Sequence, residues 1–128
     1  MMLIREYVEK ANLIAQLEEE DYENEDILFV YNQTVARIRF IAKEIEYEHP
    51  ELKEQFSQLL FVDCITIRIW VAHHILEVMN YDDYTRTLAL REIASAIRNS
   101  EPSYALGNKI WLERWLQKYP DDAMLLVQ

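Results

Sequence analysis

Apolar side chains recur every three or four positions along most of this chain, the spacing of one face of an α-helix. Leu3 and Ile4, Tyr7 and Val8, Ala11, Ile14 and Leu17 form the first stripe and predict a helix over 2–19. Residues 18–26 then place seven carboxylates in nine positions, and their mutual repulsion predicts a break. Asn24 suits an N-cap, with Glu25 and Asp26 favourably set against the positive end of the helix dipole. A second helix over 25–47 follows, with Ile27, Leu28, Tyr31, Val35, Ile38, Ile41, Ala42 and Ile45 along its inner face. It stops ahead of Pro50, which disfavours helical backbone in the residue before it.

Pro50 itself suits the first position of a short third helix, because its missing N–H would be unpaired there anyway. Leu52, Phe56, Leu59 and Leu60 supply that helix with an apolar face. The segment at 64–80, CITIRIWVAHHILEVMN, is apolar nearly all round and predicts a central, buried helix. Its β-branched run Ile65-Thr66-Ile67-Arg68-Ile69 would suit a strand, but the segment far exceeds the ~5–6 residues of an ordinary strand. Asp82 and Asp83 open a fifth helix with Leu88, Leu90, Ile93, Ala94 and Ile97 inward. Pro102 and Ser103 open a sixth, with Leu106, Ile110, Trp111 and Trp115 along its inner face. Pro120 ends it, and the tail carries Met124-Leu125-Leu126-Val127, four apolar residues able to dock back.

Every predicted element is helical, so the fold class is all-α. Residues 51–79 and 83–118 each read as a short helix, a tight turn and a longer helix. Stacked helix pairs are the mark of an α-solenoid. The chain therefore reads as one domain, 1–128, a short solenoid of about six helices, with a compact helical bundle as the alternative.

Composition narrows the function classes. About half of the 128 residues are apolar, enough for one core. One Gly and three Pro exclude collagen-like and low-complexity chains. Asp and Glu outnumber Lys and Arg 23 to 13, a formal net charge of −10 that repels phosphate backbones and attracts basic proteins. The charge is uneven: residues 1–60 carry 14 acidic and 6 basic side chains, residues 61–128 carry 9 and 7. Cys64 stands alone, so neither an internal disulfide nor a Cys-based zinc set is available, and it reads as a small apolar residue. The N-terminus turns polar within five residues, unlike a signal peptide. Residues 59–79 are interrupted by Asp63, Arg68, His73, His74 and Glu77, so no membrane span of ~20 apolar residues is predicted and a cytoplasmic protein is expected.

Candidate chemistry is sparse. The single glycine, Gly107, excludes a Gly-rich phosphate loop. Glu46 and His49 form one Glu-x-x-His spacing, but a di-metal bundle needs two such motifs and two more inward glutamates, so no metal, cofactor or enzymatic activity is expected. His73 and His74 are adjacent and point about 100° apart, which predicts one hydrogen-bonded in the core and one facing a groove. The strongest feature is the acidic run, able to steer a cationic partner. Asp21, Glu23, Glu25 and Asp26 are its candidate anchors, with Glu44 and Glu48 one helix away and Trp111 or Trp115 as apolar contacts.

The stretch FVDCITIRIWVAHHILEVM resembles the second half of a HEAT-type repeat, with Asp63 in the inter-helix turn and Arg68 five residues on. The layout with YNQTVARIRFIAKEI ahead of it looks like a small bacterial family of HEAT-like domains; Thr66 and Ile69 depart from the repeat's usual choices. That resemblance implies a structural role for Asp63 and Arg68, tying neighbouring helices together. Small acidic HEAT-like proteins are similar to immunity proteins of bacterial toxin systems, which implies an immunity protein or antitoxin that covers a basic toxin, such as a nuclease. A scaffold in a larger assembly, a nucleic-acid mimic and a metal-dependent enzyme are the competing readings, and the oligomeric state is left open.

Overall fold

The computed structural model describes residues 2–20 and 23–127, and every regular element among them is helical. The described residues form seven α-helices: α1 Met2–Leu17, α2 Glu25–Glu48, α3 Lys53–Ser57, α4 Ile65–Glu77, α5 Asp83–Asn99, α6 Pro102–Lys118 and α7 Ala123–Leu126. The all-α expectation holds, and the packing is compatible with a compact bundle. Local signals act as predicted at two helix starts. Asn24 Oδ1 accepts from the N–H groups of Asp26 at 2.9 Å and Ile27 at 3.4 Å, and Asp82 Oδ1 accepts from Thr85 N–H at 2.9 Å.

The five long helices stand in the spatial order α2, α1, α4, α5, α6, because α1 packs against both α2 and α4. Ile4, Tyr7, Ala11 and Ile14 of α1 are buried, filling the space between Ile38, Ile41 and Ile45 of α2 and Val71 and Ile75 of α4. A bidentate pair fastens the outer edge: Arg37 Nε and Nη2 donate to the Glu6 carboxylate at 2.6 and 2.8 Å. Partly exposed, it contributes about 1 kcal/mol or less.

Three expectations shift. Helix α1 ends at Leu17, and α4 covers 65–77, closing where the N–H groups of Val78 and Met79 both turn to the His74 carbonyl. The third helix is broken into a 3₁₀ turn at Pro50–Leu52, the one-turn α3 and a second 3₁₀ turn at Gln58–Phe61. Three residues per turn set Phe56 and Leu59 on one side, and both are buried. The inward face of α6 also differs: Leu106 and Ile110 are exposed, and Ala105 is its one buried residue among those described. Lying at the end of the row, α6 is covered chiefly on its α5 side.

Arg68 ties elements together, as the resemblance implies. Its guanidinium donates to the carbonyls of Val62 at 2.7 Å and Asp63 at 3.0 Å and pairs with Glu92 of α5 at 3.2 Å. Asp63 takes part through that carbonyl, and the residue is exposed. Cys64, the N-cap residue of α4, is half-buried against the core.

The tail docks in part: Leu125 and Leu126 pack on the core, while Met124 and Val127 face solvent. The buried Asp122 fixes it, one oxygen accepting from Arg86 of α5 and from Trp115 Nε1 at 2.9 Å. Removing that acceptor strands two donors. Asp122→Ala is expected to cost about 1–3 kcal/mol, with Asp122→Asn losing less. Thermal unfolding followed by tryptophan fluorescence checks this, since Trp115 reports directly.

Candidate interaction surfaces

The acidic break between α1 and α2 is only partly a solvated loop. Glu19, Glu20, Glu23, Glu25 and Asp26 are exposed, whereas Asp21 lies outside the described residues. Glu18 turns inward. It is half-buried, lines a cavity with Thr66 and Trp70, and burial raises its carboxyl above the ordinary range despite a hydrogen bond with Thr66.

Glu44 and Glu48 do not join this cluster. Helix α2 rises about 1.5 Å per residue, so Glu44 lies about 28 Å from Glu25, at the other end of the same helix. Between the two acidic ends runs a feature that the charge pattern does not reveal. Phe29, Gln33, Ala36, Phe40, Lys43 and Tyr47 are all exposed and spaced 4, 3, 4, 3, 4, which lines them up on one face. Phe29 is 62%, Phe40 49% and Tyr47 73% exposed, on the side away from the buried stripe of Thr34, Ile38, Ile41 and Ile45. This second stripe is present in the sequence as a helical repeat out of phase with the inner one.

Trp111 and Trp115 lie elsewhere, on α6. Their rings stack with centroids 5.0 Å apart, and Tyr119 continues the ladder 4.6 Å from Trp115. His73 meets the Trp111 ring edge-on at 4.5 Å. Both indoles are half-buried with their N–H groups engaged, Trp111 Nε1 donating to Glu77 Oε2 at 2.9 Å. Glu77 also accepts from Arg39 at 3.3 Å and lies 3.3 Å from His73 Nδ1. The His73 contact holds its carboxyl below the usual carboxylate range against the opposing effect of burial, with Arg39 and Trp111 assisting.

The two histidines divide as their spacing predicts. His74 is buried, its Nδ1 hydrogen-bonded with the Tyr7 hydroxyl at 2.6 Å, and burial lowers its pKa to about 3. His73 faces a cavity and meets Asn108 Oδ1 at 2.8 Å through Nε2. Glu46, half of the Glu-x-x-His pair, is taken up by Lys53 Nζ at 2.7 Å and by the N–H of Asn80 at 2.9 Å. His49 sits 3.4 Å from Glu51. Among the described residues no group of three His, Cys, Asp or Glu is arranged to hold a metal ion, and no helix is long and apolar enough to cross a membrane.

No family model matches this chain, and neither a curated protein nor a solved structure is significantly similar to it.

Proposed function

We propose that this chain is a protein-binding module of the immunity-protein type, which neutralises a basic cytoplasmic toxin, a nuclease by the same charge logic, by laying the outer face of α2 against it. One observation carries the reading: an exposed aromatic stripe about 27 Å long with carboxylates at both ends. Monomeric proteins seldom leave three aromatic side chains aligned in water, and aromatic residues are favoured anchors at interfaces. The flanking Glu23, Glu25 and Asp26 at one end, and Glu44 and Glu48 at the other, select a partner whose apolar patch is bordered by Lys or Arg. The earlier anchor set thus becomes two acidic clamps around an apolar centre, and Trp111 and Trp115 drop out of it.

A tagged chain, incubated with lysate of its source organism, should capture one basic protein in near-equal amount, released as salt rises. With the purified pair, Glu20→Lys/Glu23→Lys should slow association about tenfold at low salt and little at high salt. Phe40→Ser should instead speed dissociation about tenfold or more. A partner indifferent to both variants would show that the outer face of α2 is not the interface.

A further inference from the structure

We propose that a channel along α4 binds a short extended peptide segment, basic at one end, apolar or aromatic in its middle and acidic at the other. The choice of a peptide rests on the reading of this chain as a protein-binding module; the surface is a different one from the outer face of α2.

Three cavities of about 420, 450 and 490 Å³ lie end to end. The first and second share the walls Glu18, Trp70 and Asn108, and the second and third share Arg39, Glu77 and Trp111. Helix α4 supplies the floor from Thr66 through Trp70 and His73 to Glu77. Eleven helical steps span about 16 Å, the length of about five residues of extended chain.

The charges along this channel are sorted. Glu18, Glu19 and Glu101 line one end, and Arg39, Arg114 and Lys118 line the other, where Glu77 is the one carboxylate among the lining residues. In a chain with 13 Lys and Arg against 23 Asp and Glu, three cations gathered at one end run against the composition. Glu77 engages Arg39 in part and Lys118 lies against the Tyr119 ring, while Arg114 has no acidic partner among the described residues. Trp70 and Trp111 occupy the middle, where they offer apolar contact. A uniformly charged ligand would be repelled at one end, and a dipolar segment is matched at both.

The wall opposite α2 is kept low at one position. Gly107, the single glycine of the chain, stands in α6 where the second and third cavities meet. A Cβ built there meets nothing within 4 Å. Glycine within a helix costs about 1 kcal/mol relative to alanine, and here it leaves the helix backbone open to an occupant. Gly107→Leu therefore favours the helix while filling the channel, which separates blockage from misfolding.

Random heptapeptides displayed on phage and selected against the full chain test this. Enriched sequences should carry Lys or Arg toward one end, Asp or Glu toward the other and an aromatic or aliphatic residue between. Arg114→Glu/Lys118→Glu should shift the enrichment to peptides basic at both ends. Gly107→Leu should weaken the selected peptides about tenfold or more without lowering the unfolding midpoint, and Phe40→Ser should leave them bound. No enrichment, enrichment without opposed charges, or peptides that survive Gly107→Leu would overturn the proposal. Peptides lost with Phe40→Ser alone would do so too, by showing occupancy of the outer face of α2. Failure to find a basic partner on α2 would leave these results standing.

Discussion

Phe56→Ala is expected to lower stability by about 3–5 kcal/mol, a large part of what an ordinary domain of this size possesses. Phe56 is fully buried and sets its ring edge-on to Tyr7, with centroids 4.9 Å apart. It belongs to the five-residue α3, too short to persist as a helix by itself. Phe56, with Leu59 and Leu60, holds the whole 50–61 segment down. Removing the ring leaves a cavity beside Tyr7 and loosens that segment from α1 and α4 together. Urea unfolding should show a lower midpoint with little change in slope. A loss below about 1 kcal/mol would mean that the site collapses around the missing ring, and that Phe56 is not the principal anchor.

The second large effect is acid destabilisation centred on His74. Its pKa is lowered from 6.5 to about 3 in the folded chain, first by burial, with Arg39 and His73 adding to it and Glu77 opposing. The unfolded chain takes up a proton at this residue below about pH 6.5, and the folded chain does so only near pH 3. Between those values the unfolded state binds more protons, so stability falls as pH falls. At about 1.4 kcal/mol per unit the window is worth roughly 4–5 kcal/mol. The depressed carboxyls of Glu6 and Glu77 act in the same direction, since their stabilisation disappears as they become protonated. Denaturant midpoints between pH 7 and pH 4 should decline steadily. Tyr7→Phe/His74→Leu, which removes both partners of the 2.6 Å hydrogen bond, should flatten that decline. An equally steep decline in the double variant would assign the acid sensitivity to the carboxylates.

What was legible beforehand was local. Asn24 and Asp82 cap through their own side chains within three residues, and Pro50, Pro102 and Pro120 mark helix boundaries by steric rules. The inward stripe of α1 follows from its 3.6-residue period. Leu106 and Ile110 were placed inward because they are apolar, yet an edge helix is covered on the side its neighbour occupies. The position of α1 between α2 and α4 is set by long-range packing, to which periodicity is blind. For the candidate site, the charged residues stand out in the chain, and their separation is implicit in any helix over 25–47. The aromatic stripe is legible by the same rule, since Phe29, Phe40 and Tyr47 fall outside the inward set of a helix over 25–47, but the charge pattern does not point to it. The channel joins residues as distant as Glu18 and Lys118, and only the fold brings them onto one path.

The insertion of the first helix between α2 and α4 also shapes how the molecule assembles. In a stack whose neighbours in space are neighbours in sequence, folding can begin anywhere and spread, and stability is nearly a sum over units. Here Tyr7 waits for His74, 67 residues later, before either polar group is satisfied. That separation has to be closed before the contact forms, and closing so long a loop is slower than forming contacts between sequence neighbours. Helix α2 reaches the rest of the molecule mainly through α1. The face that carries the aromatic stripe is thus anchored chiefly through α1, with Arg39–Glu77 and Glu46–Lys53 as side ties, so a change that loosens α1 is felt on that face as well.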